Sequence, residues 1–134
     1  MDDRRAVVDA SAVMAWVAHE VGAEIVAQLL PYAVLPMPNA VEVLVAARRR
    51  EWDGTNADLL RDITAMGVRL ESVEPDDSLR AAELISMSRD VCGERISLGD
   101  GLCLAVAERL GLPVVGGDSV WAALPLRVKF LRFR

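Results

Sequence analysis

The chain has 134 residues, of which 53% are hydrophobic and 26% charged, and its formal net charge is −5 at pH 7. This composition is typical of a folded globular domain, excludes a disordered chain and argues against a surface that coats nucleic acid as a whole. No apolar run approaches the roughly 20 residues that span a bilayer, so no membrane contact is predicted. The opening MDDRRAVVDAS is unlike a signal peptide, and Cys92 and Cys103 lack disulfide-framework or zinc spacing. Reduced thiols and a cytoplasmic location are therefore expected.

Short apolar runs typical of strands alternate along the chain with stretches of helical periodicity. In chain order they are a strand at 6–8, helices at 11–19 and 23–30, a strand at 34–37, helices at 39–50 and 55–66, a strand at 68–73, a helix from 75, a helix at 97–110, a strand at 114–115, a helical turn at 119–124 and a strand at 127–133. Asn39 is expected to cap the third helix, and Gly67 to end the fourth. The alternation predicts an α/β fold, a single domain over 1–134 with a parallel twisted sheet flanked by helices on both faces.

Four acidic residues fall where the predicted strands end or the following helices begin. Asp9 ends the first strand, Asp118 follows the strand at 114–115, and Glu42 and Asp100 lie in the first turn of their helices. Open α/β sheets bind ligands at this edge, and crowded carboxylates there either take up protons or hold a hard cation. Oxygen ligands without histidine or cysteine favour Mg²⁺ or Mn²⁺ over zinc.

Each acid also has a purely structural interpretation. Ser97-x-x-Asp100 and Asn39-x-x-Glu42 resemble capping boxes, in which the acid bonds the backbone N–H of the cap residue. Asp9 and Asp118, taken singly, are ordinary turn residues. The joint occurrence of four acids at one sheet edge favours a functional site.

The basic and aromatic residues are less informative than the acids. The run Arg48–Arg50 is typical of a solvated helix C-terminus. A second basic group lies near the chain end and consists of Arg127, Lys129, Arg132 and Arg134. The three tryptophans, Trp16, Trp52 and Trp121, are interpreted as packing residues.

Three segments carry a family resemblance. The strand end "VVDAS" resembles the opening of PIN-domain nucleases, "NAVEVLVAARRR" resembles their second acidic segment, and "SLGDGLCLAVAERLGLPVVGGDSVW" resembles the signature around their third and fourth acids. The order and spacing agree over nearly the whole chain, whose length suits the small VapC-type toxins of bacterial toxin–antitoxin pairs. The resemblance implies a single PIN-like nuclease domain over 1–134. It assigns metal binding to Asp9, Glu42, Asp100 and Asp118, with Ser11 as the small hydroxyl residue beside the first acid.

The resemblance implies a Mg²⁺- or Mn²⁺-dependent endoribonuclease in which one or two ions activate a water to cleave RNA phosphodiester bonds. It also implies a homodimer and a cognate VapB-type antitoxin, while the target RNA stays open. The alternative is a PIN-like protein-binding module without catalysis. A phosphoacceptor receiver domain is disfavoured because the acids are dispersed and Lys129 lies inside the last predicted strand.

Two glycines depart from the family pattern. Gly116 occupies the place, two residues before the last acid, where the family often has Ser or Thr, so a hydroxyl that orients the fourth carboxylate or a water is missing. Gly101 follows the third acid where relatives often carry a larger residue. Separately, the helices at 39–47 and 97–110 are rich in Ala, Val and Leu, which predicts apolar surface for a homodimer.

Overall fold

The five strands of the sheet are short, and all of them run parallel. The computed structural model describes residues 2–134 and orders the strands β3-β2-β1-β4-β5. The strands are β1 (Ala6–Val8), β2 (Ala33–Pro36), β3 (Arg69–Glu71), β4 (Val114–Gly116) and β5 (Phe130–Arg132). The helices are α1 (Ala10–Val17), α2 (Ala23–Leu29), α3 (Met37–Arg49), α4 (Asn56–Ala65), α5 (Pro75–Cys92) and α6 (Leu98–Leu110), with 3-10 turns at Leu30–Tyr32 and Ser119–Ala123.

Helices cover both faces of the sheet, as the sequence predicts. Successive side chains of a strand point to opposite faces, so Ala6 and Val8 enter one core while Val7 enters the other. The first core is completed by buried residues of α1 to α4, and the second by buried residues of α5 and α6 together with Trp121. The central strand β1, buried on both faces, therefore ends in the middle of the sheet edge at which open α/β folds bind ligands.

The boundary between β2 and α3 differs from the sequence prediction. Met37 belongs to α3 rather than to the strand before it, and α3 starts early because Pro38, with its fixed φ, is well suited to the first helical turn. Asn39 is therefore a buried residue inside that turn and does not cap the helix, so the predicted cap is wrong. Glu42 in turn lies in the second turn of α3, not the first.

The last strand is shorter than the alternating pattern at 127–133 predicts. Ladder pairing is confined to β5, so Lys129 precedes the strand instead of lying within it. By contrast, the predicted ends of α4 are confirmed. Thr55 caps it in a capping box, and Gly67 follows it with a positive φ of 102°.

Gly101 has a packing explanation that the sequence did not supply. A Cβ at this position would lie 2.7 Å from Cγ1 of Ile85 and 3.3 Å from the carbonyl oxygen of Ala81. Both residues belong to α5, so the glycine allows α6 to approach α5 closely.

Both cysteines, Cys92 and Cys103, are free thiols, in agreement with the expectation. No helix within residues 2–134 is both long enough and apolar enough to cross a bilayer.

Candidate metal centre

Asp9 lies at the centre of the site because β1 is the middle strand of the sheet. It is 5% exposed, and it caps α1 by accepting a hydrogen bond from the backbone N–H of Ala12 at 2.8 Å. The Ser11 hydroxyl donates to the Asp9 carboxylate, with its Oγ 2.8 and 2.9 Å from the two oxygens. The same Oγ accepts from the backbone N–H of Gly117 at 3.3 Å. Ser11 thus joins the first acid to the loop that carries Asp118.

The environment of Asp9 favours its protonated form. Burial raises its pKa to about 6, and the nearby charges of Asp100 and Glu42 push in the same direction. The hydrogen bonds from Ala12 and Ser11 act against this shift without cancelling it. A buried carboxylate repelled by two others has a strong electrostatic reason to bind a cation.

Glu42 reaches the site through a contact between α3 and α6. Asn39 Nδ2 donates to Glu42 Oε1 at 2.8 Å and to the carbonyl oxygen of Gly99 at 3.2 Å. The Glu42 carboxylate rests directly on Gly99, where any Cβ would overlap it. Although the residue as a whole is exposed, its carboxyl group is partly desolvated there. Desolvation first, and Asp100 second, raise its pKa.

Asp100 occupies the third position of α6 and completes a capping box with Ser97. The Ser97 hydroxyl accepts from the Asp100 backbone N–H at 3.1 Å, and the Asp100 carboxylate accepts from the Ser97 N–H at 3.5 Å. This confirms the structural interpretation of the motif. Asp100 is also half-buried, and desolvation, together with the charge of Asp118, raises its pKa. The cap and the site therefore share one side chain.

Asp118, like Glu42, is an exposed residue. It follows β4, and its Oδ1 accepts from the backbone N–H of Val120 at 3.0 Å, which caps the short 3-10 turn. Its charge acts on Asp100, so it stands at the same edge of the sheet.

Each of the four acids lies close enough to at least one other for their charges to interact, but together they do not form a complete coordination shell for an ion. Within residues 2–134, no three Asp, Glu, His or Cys side chains are arranged as ligands of one ion. The buried Cys103 thiol reports that three of the acids lie near one point. Its pKa is raised mainly by burial and, in addition, by the charges of Asp9, Asp100 and Glu42.

The hydrogen bonds of the acids leave room for a ligand. Glu42, Asp100 and Asp118 each accept their bonds from the described residues through a single carboxylate oxygen, and the second oxygen is free to take another partner. An oxygen-only, mutually repelling donor set fits Mg²⁺ or Mn²⁺.

Two further residues of the site were missed by sequence reasoning. Asn39 looked like a helix cap, yet it ties Glu42 to α6. Trp121 packs in the second core, as the sequence analysis predicts, and in addition its buried Nε1 has no hydrogen-bond partner within residues 2–134, while the residue is among those that lower the pKa of Asp100. The one sequence signal for this contact is Gly116, the departure from the family pattern noted above, which lies against the ring of Trp121.

The basic run at 48–50 and the basic group near the chain end make different contacts. In the run at 48–50, Arg48 donates to the carbonyl oxygen of Trp52, and Arg50 pairs with Glu20 at 2.6 Å, as expected of a helix end. Arg134 also pairs with Glu20, at 3.6 Å, and it lies beside the loop that carries Asp118, since a Cβ on Gly117 would be 3.0 Å from its Nε. Its guanidinium also stacks on the Phe133 ring, 5.0 Å from the centroid.

The sequence matches the profile of the family described as PIN domain over residues 6–125, from the first residue of β1 to just beyond the second 3-10 turn. The chain belongs to the PIN domain family. All four acids and Ser11 fall within the matched range of this PIN domain.

Relatives of this PIN domain include named ribonucleases. A VapC ribonuclease of Mycobacterium bovis is 29% identical over 114 residues, covering 81% of this chain and 87% of the relative. The DNA-bound VapBC structure from Salmonella typhimurium has a TM-score of 0.74 at 12% identity, over 98% of this chain and 99% of that one. VapC20 of Mycobacterium tuberculosis, a toxin that cleaves the sarcin-ricin loop, has a TM-score of 0.68 at 21% identity, over 88% and 93%. At these identities the likeness to the solved structures establishes the fold.

Proposed function

We propose that this PIN domain is a Mg²⁺- or Mn²⁺-dependent endoribonuclease and the toxin of a toxin–antitoxin pair. The observation that carries the proposal is the group of three acids, Asp9, Glu42 and Asp100, whose pKa values are all raised by burial and by the charges of neighbouring acids. The ribonuclease names of the relatives support RNA as the substrate.

In this mechanism the chain's own residues hold the divalent ion and orient the carboxylates that bind it. Asp9, fixed by Ser11 and the N-terminus of α1, is the rigid anchor of the site, while Glu42, Asp100 and Asp118 offer their second oxygens from the rim. When bound, the divalent ion supplies positive charge that acidifies a water and neutralises the charge developing on the phosphate. No side chain acts as a covalent nucleophile.

The substrate backbone is drawn to the site by cations outside the acid group. Arg134 stands next to Gly117 at the rim, and Arg132, which ends β5, pairs in register with Gly116. Phosphate contacts of this kind release counterions, so RNA binding is expected to weaken steeply with salt.

The function is tested by incubating transfer and ribosomal RNA with the protein in EDTA, in Mg²⁺ and in Mn²⁺. Cleavage is expected only with metal. Mn²⁺ is also expected to raise the melting temperature by several degrees, since a ligand at 100 times its Kd stabilises the native state by about 2.7 kcal/mol. The absence of both cleavage and thermal shift at millimolar metal would contradict the proposal.

A second candidate function is a protein-binding module without catalysis. The observation that favours it is Gly116, which lacks the hydroxyl common in the family. This module would bind its partner with or without Mn²⁺ and would leave RNA intact, so the same experiment separates the two.

The proposed partners are a VapB-type antitoxin and a second copy of the chain. The antitoxin is supported by solved structures with the same fold, several of which are VapBC complexes. We propose that an antitoxin segment places an arginine against the carboxylates, since a guanidinium matches the charge and the geometry of such a group.

The homodimer is supported by the outer face of α3. Met37, Val41 and Val45 follow one another at four-residue intervals and are 41, 55 and 45% exposed. The other helix expected to contribute, α6, buries its apolar run in the core instead. The apolar surface for a dimer is therefore on α3, and its three side chains form one stripe.

Val45→Lys is expected to convert the dimer into a monomer. A lysine in the stripe introduces a charge into an apolar interface, so the dimer dissociation constant should rise at least tenfold, or about 1.4 kcal/mol. Light scattering at micromolar concentration measures this. Val21→Lys, at a 78% exposed position outside the stripe, is the matched control. A wild-type protein that is monomeric would refute the dimer.

A further inference from the structure

The indole of Trp121 is buried in an unusual way. The residue is 0% exposed, and its ring lies tilted against Phe130 with the centroids 5.4 Å apart. Its Nε1–H has no hydrogen-bond partner within residues 2–134. Buried tryptophan N–H groups usually find an acceptor, and an unpaired donor in a native core calls for an explanation.

The six-membered ring of the indole, on the side away from Nε1, packs against the backbone of Gly116. A Cβ at this position would lie 2.7 Å from Cζ3 and 3.1 Å from Cη2 of Trp121, and 3.0 Å from Oδ2 of Asp9. Gly116 is an ordinary strand residue with no positive φ, so backbone freedom does not explain the glycine. The close approach of the ring does, because a side chain at 116 and the indole compete for the same space.

Trp121 packs in the same buried cluster as Cys103 and Leu104, which lie about one helical turn beyond Asp100 on α6. The Asp100 carboxylate is held by the protein only through the long 3.5 Å bond from the Ser97 N–H. Trp121 is also among the groups that lower the pKa of Asp100, although its Nε1 makes no hydrogen bond within residues 2–134. Asp100 therefore has one weak tether, and Trp121 has one donor without a geometrically good partner.

We propose that Trp121 is a positioning residue whose indole N–H orients the Asp100 carboxylate, and that the bare backbone of Gly116 makes room for the ring that carries this donor. The donor then compensates for the hydroxyl that is missing at Gly116. The inference rests on the proposed function in so far as Asp100 is a metal ligand.

The first test reads the hydrogen bond without any metal. In the metal-free protein, the indole N–H resonance of Trp121 is identified by its loss in Trp121→Phe. Asp100→Asn is expected to shift this resonance upfield and to speed its exchange with water, while the indole signals of Trp16 and Trp52 stay in place. An unchanged Trp121 signal would overturn the proposal, whatever becomes of the nuclease activity.

The second test measures Mn²⁺ affinity by calorimetry well below the unfolding midpoint. Trp121→Phe keeps an aromatic ring but removes the donor, and the Kd is expected to rise about 10- to 100-fold, as for other residues that orient metal ligands. Trp52→Phe is the matched control and should leave the Kd within twofold. A purely packing role predicts lower stability with an unchanged Kd, and that result would overturn the proposal.

The third test examines the coupling of the two residues. Gly116→Ser in the wild-type background should raise the Kd, because the new side chain meets the indole. In the Trp121→Phe background the same substitution should cost less or restore affinity, since the smaller ring leaves space for a hydroxyl donor. Equal effects in both backgrounds would overturn the pairing. If the wild type binds no Mn²⁺ at all, the proposed function fails, and the indole resonance alone decides the role of Trp121.

Discussion

Asp100→Asn is expected to abolish RNA cleavage while leaving the metal-free protein at least as stable as the wild type. The substitution keeps the size of the side chain and an acceptor oxygen for the Ser97 N–H, but it removes one of the repelling charges at the site. Mn²⁺ affinity and cleavage should each fall by at least about 100-fold, since loss of even an outer partner of a metal site costs 10- to 100-fold. Cleavage rates, calorimetric Kd values and urea unfolding in EDTA measure the three effects.

The chain supplies a matched control for this experiment in α4. Asp58 occupies the same third helical position in a capping box with Thr55, on a helix that carries none of the four acids. Asp58→Asn should therefore lower stability slightly and leave both cleavage and Mn²⁺ affinity unchanged. If Asp100 were only a cap, its substitution would behave like that of Asp58, costing on the order of 1 kcal/mol or less with activity intact.

Asp9→Asn is expected to stabilise the metal-free protein at neutral pH and to flatten its pH dependence. The pKa of Asp9 is about 6 in the folded protein against 3.8 for an unperturbed aspartate, so between these values the native state binds more protons than the unfolded state. Stability therefore falls as pH rises from about 3.8 to 6, by about 3 kcal/mol at most, and is level above pH 6. Asparagine has no such titration and can still accept from the Ala12 N–H, so the net gain at pH 7 should be about 1–2 kcal/mol.

The measurement is urea unfolding of both proteins at several pH values between 4 and 8 in EDTA. The difference in the free energy of unfolding should grow from pH 4 to pH 6 and then stay constant. With saturating Mn²⁺ the order should reverse, because only the wild type gains from the ion. If the variant is instead less stable than the wild type at pH 7 without metal, Asp9 acts as a structural cap and its negative charge does not destabilise the folded protein.

The repeating order of strands and helices was readable from the sequence because it depends on local patterns. The buried run at 6–8, the helix end at Gly67 and the capping box at Ser97 act over a few residues, and each is found where it was predicted. The acids Asp9, Asp100 and Asp118 could be placed at one edge for a related reason, since the carboxyl ends of parallel strands must share an edge. The boundaries at Met37 and Lys129 were missed because helix nucleation at Pro38 and edge pairing of β5 outweigh local periodicity.

What only the tertiary structure decided is which side chains serve the acids. Asn39 is joined to Gly99 across 60 positions of sequence, and Trp121 meets Gly116 only because the 3-10 turn folds back over the end of β4. No local pattern encodes such contacts, since they depend on how helices pack against the sheet. The raised pKa of Asp9 likewise follows from burial between two cores and from charges on α3 and α6. The sequence by itself therefore determined the fold and the candidate acids with their local partners Ser11 and Ser97. Packing decided the raised pKa values of Asp9, Glu42 and Asp100 and the contact of Asn39 with Glu42 and Gly99.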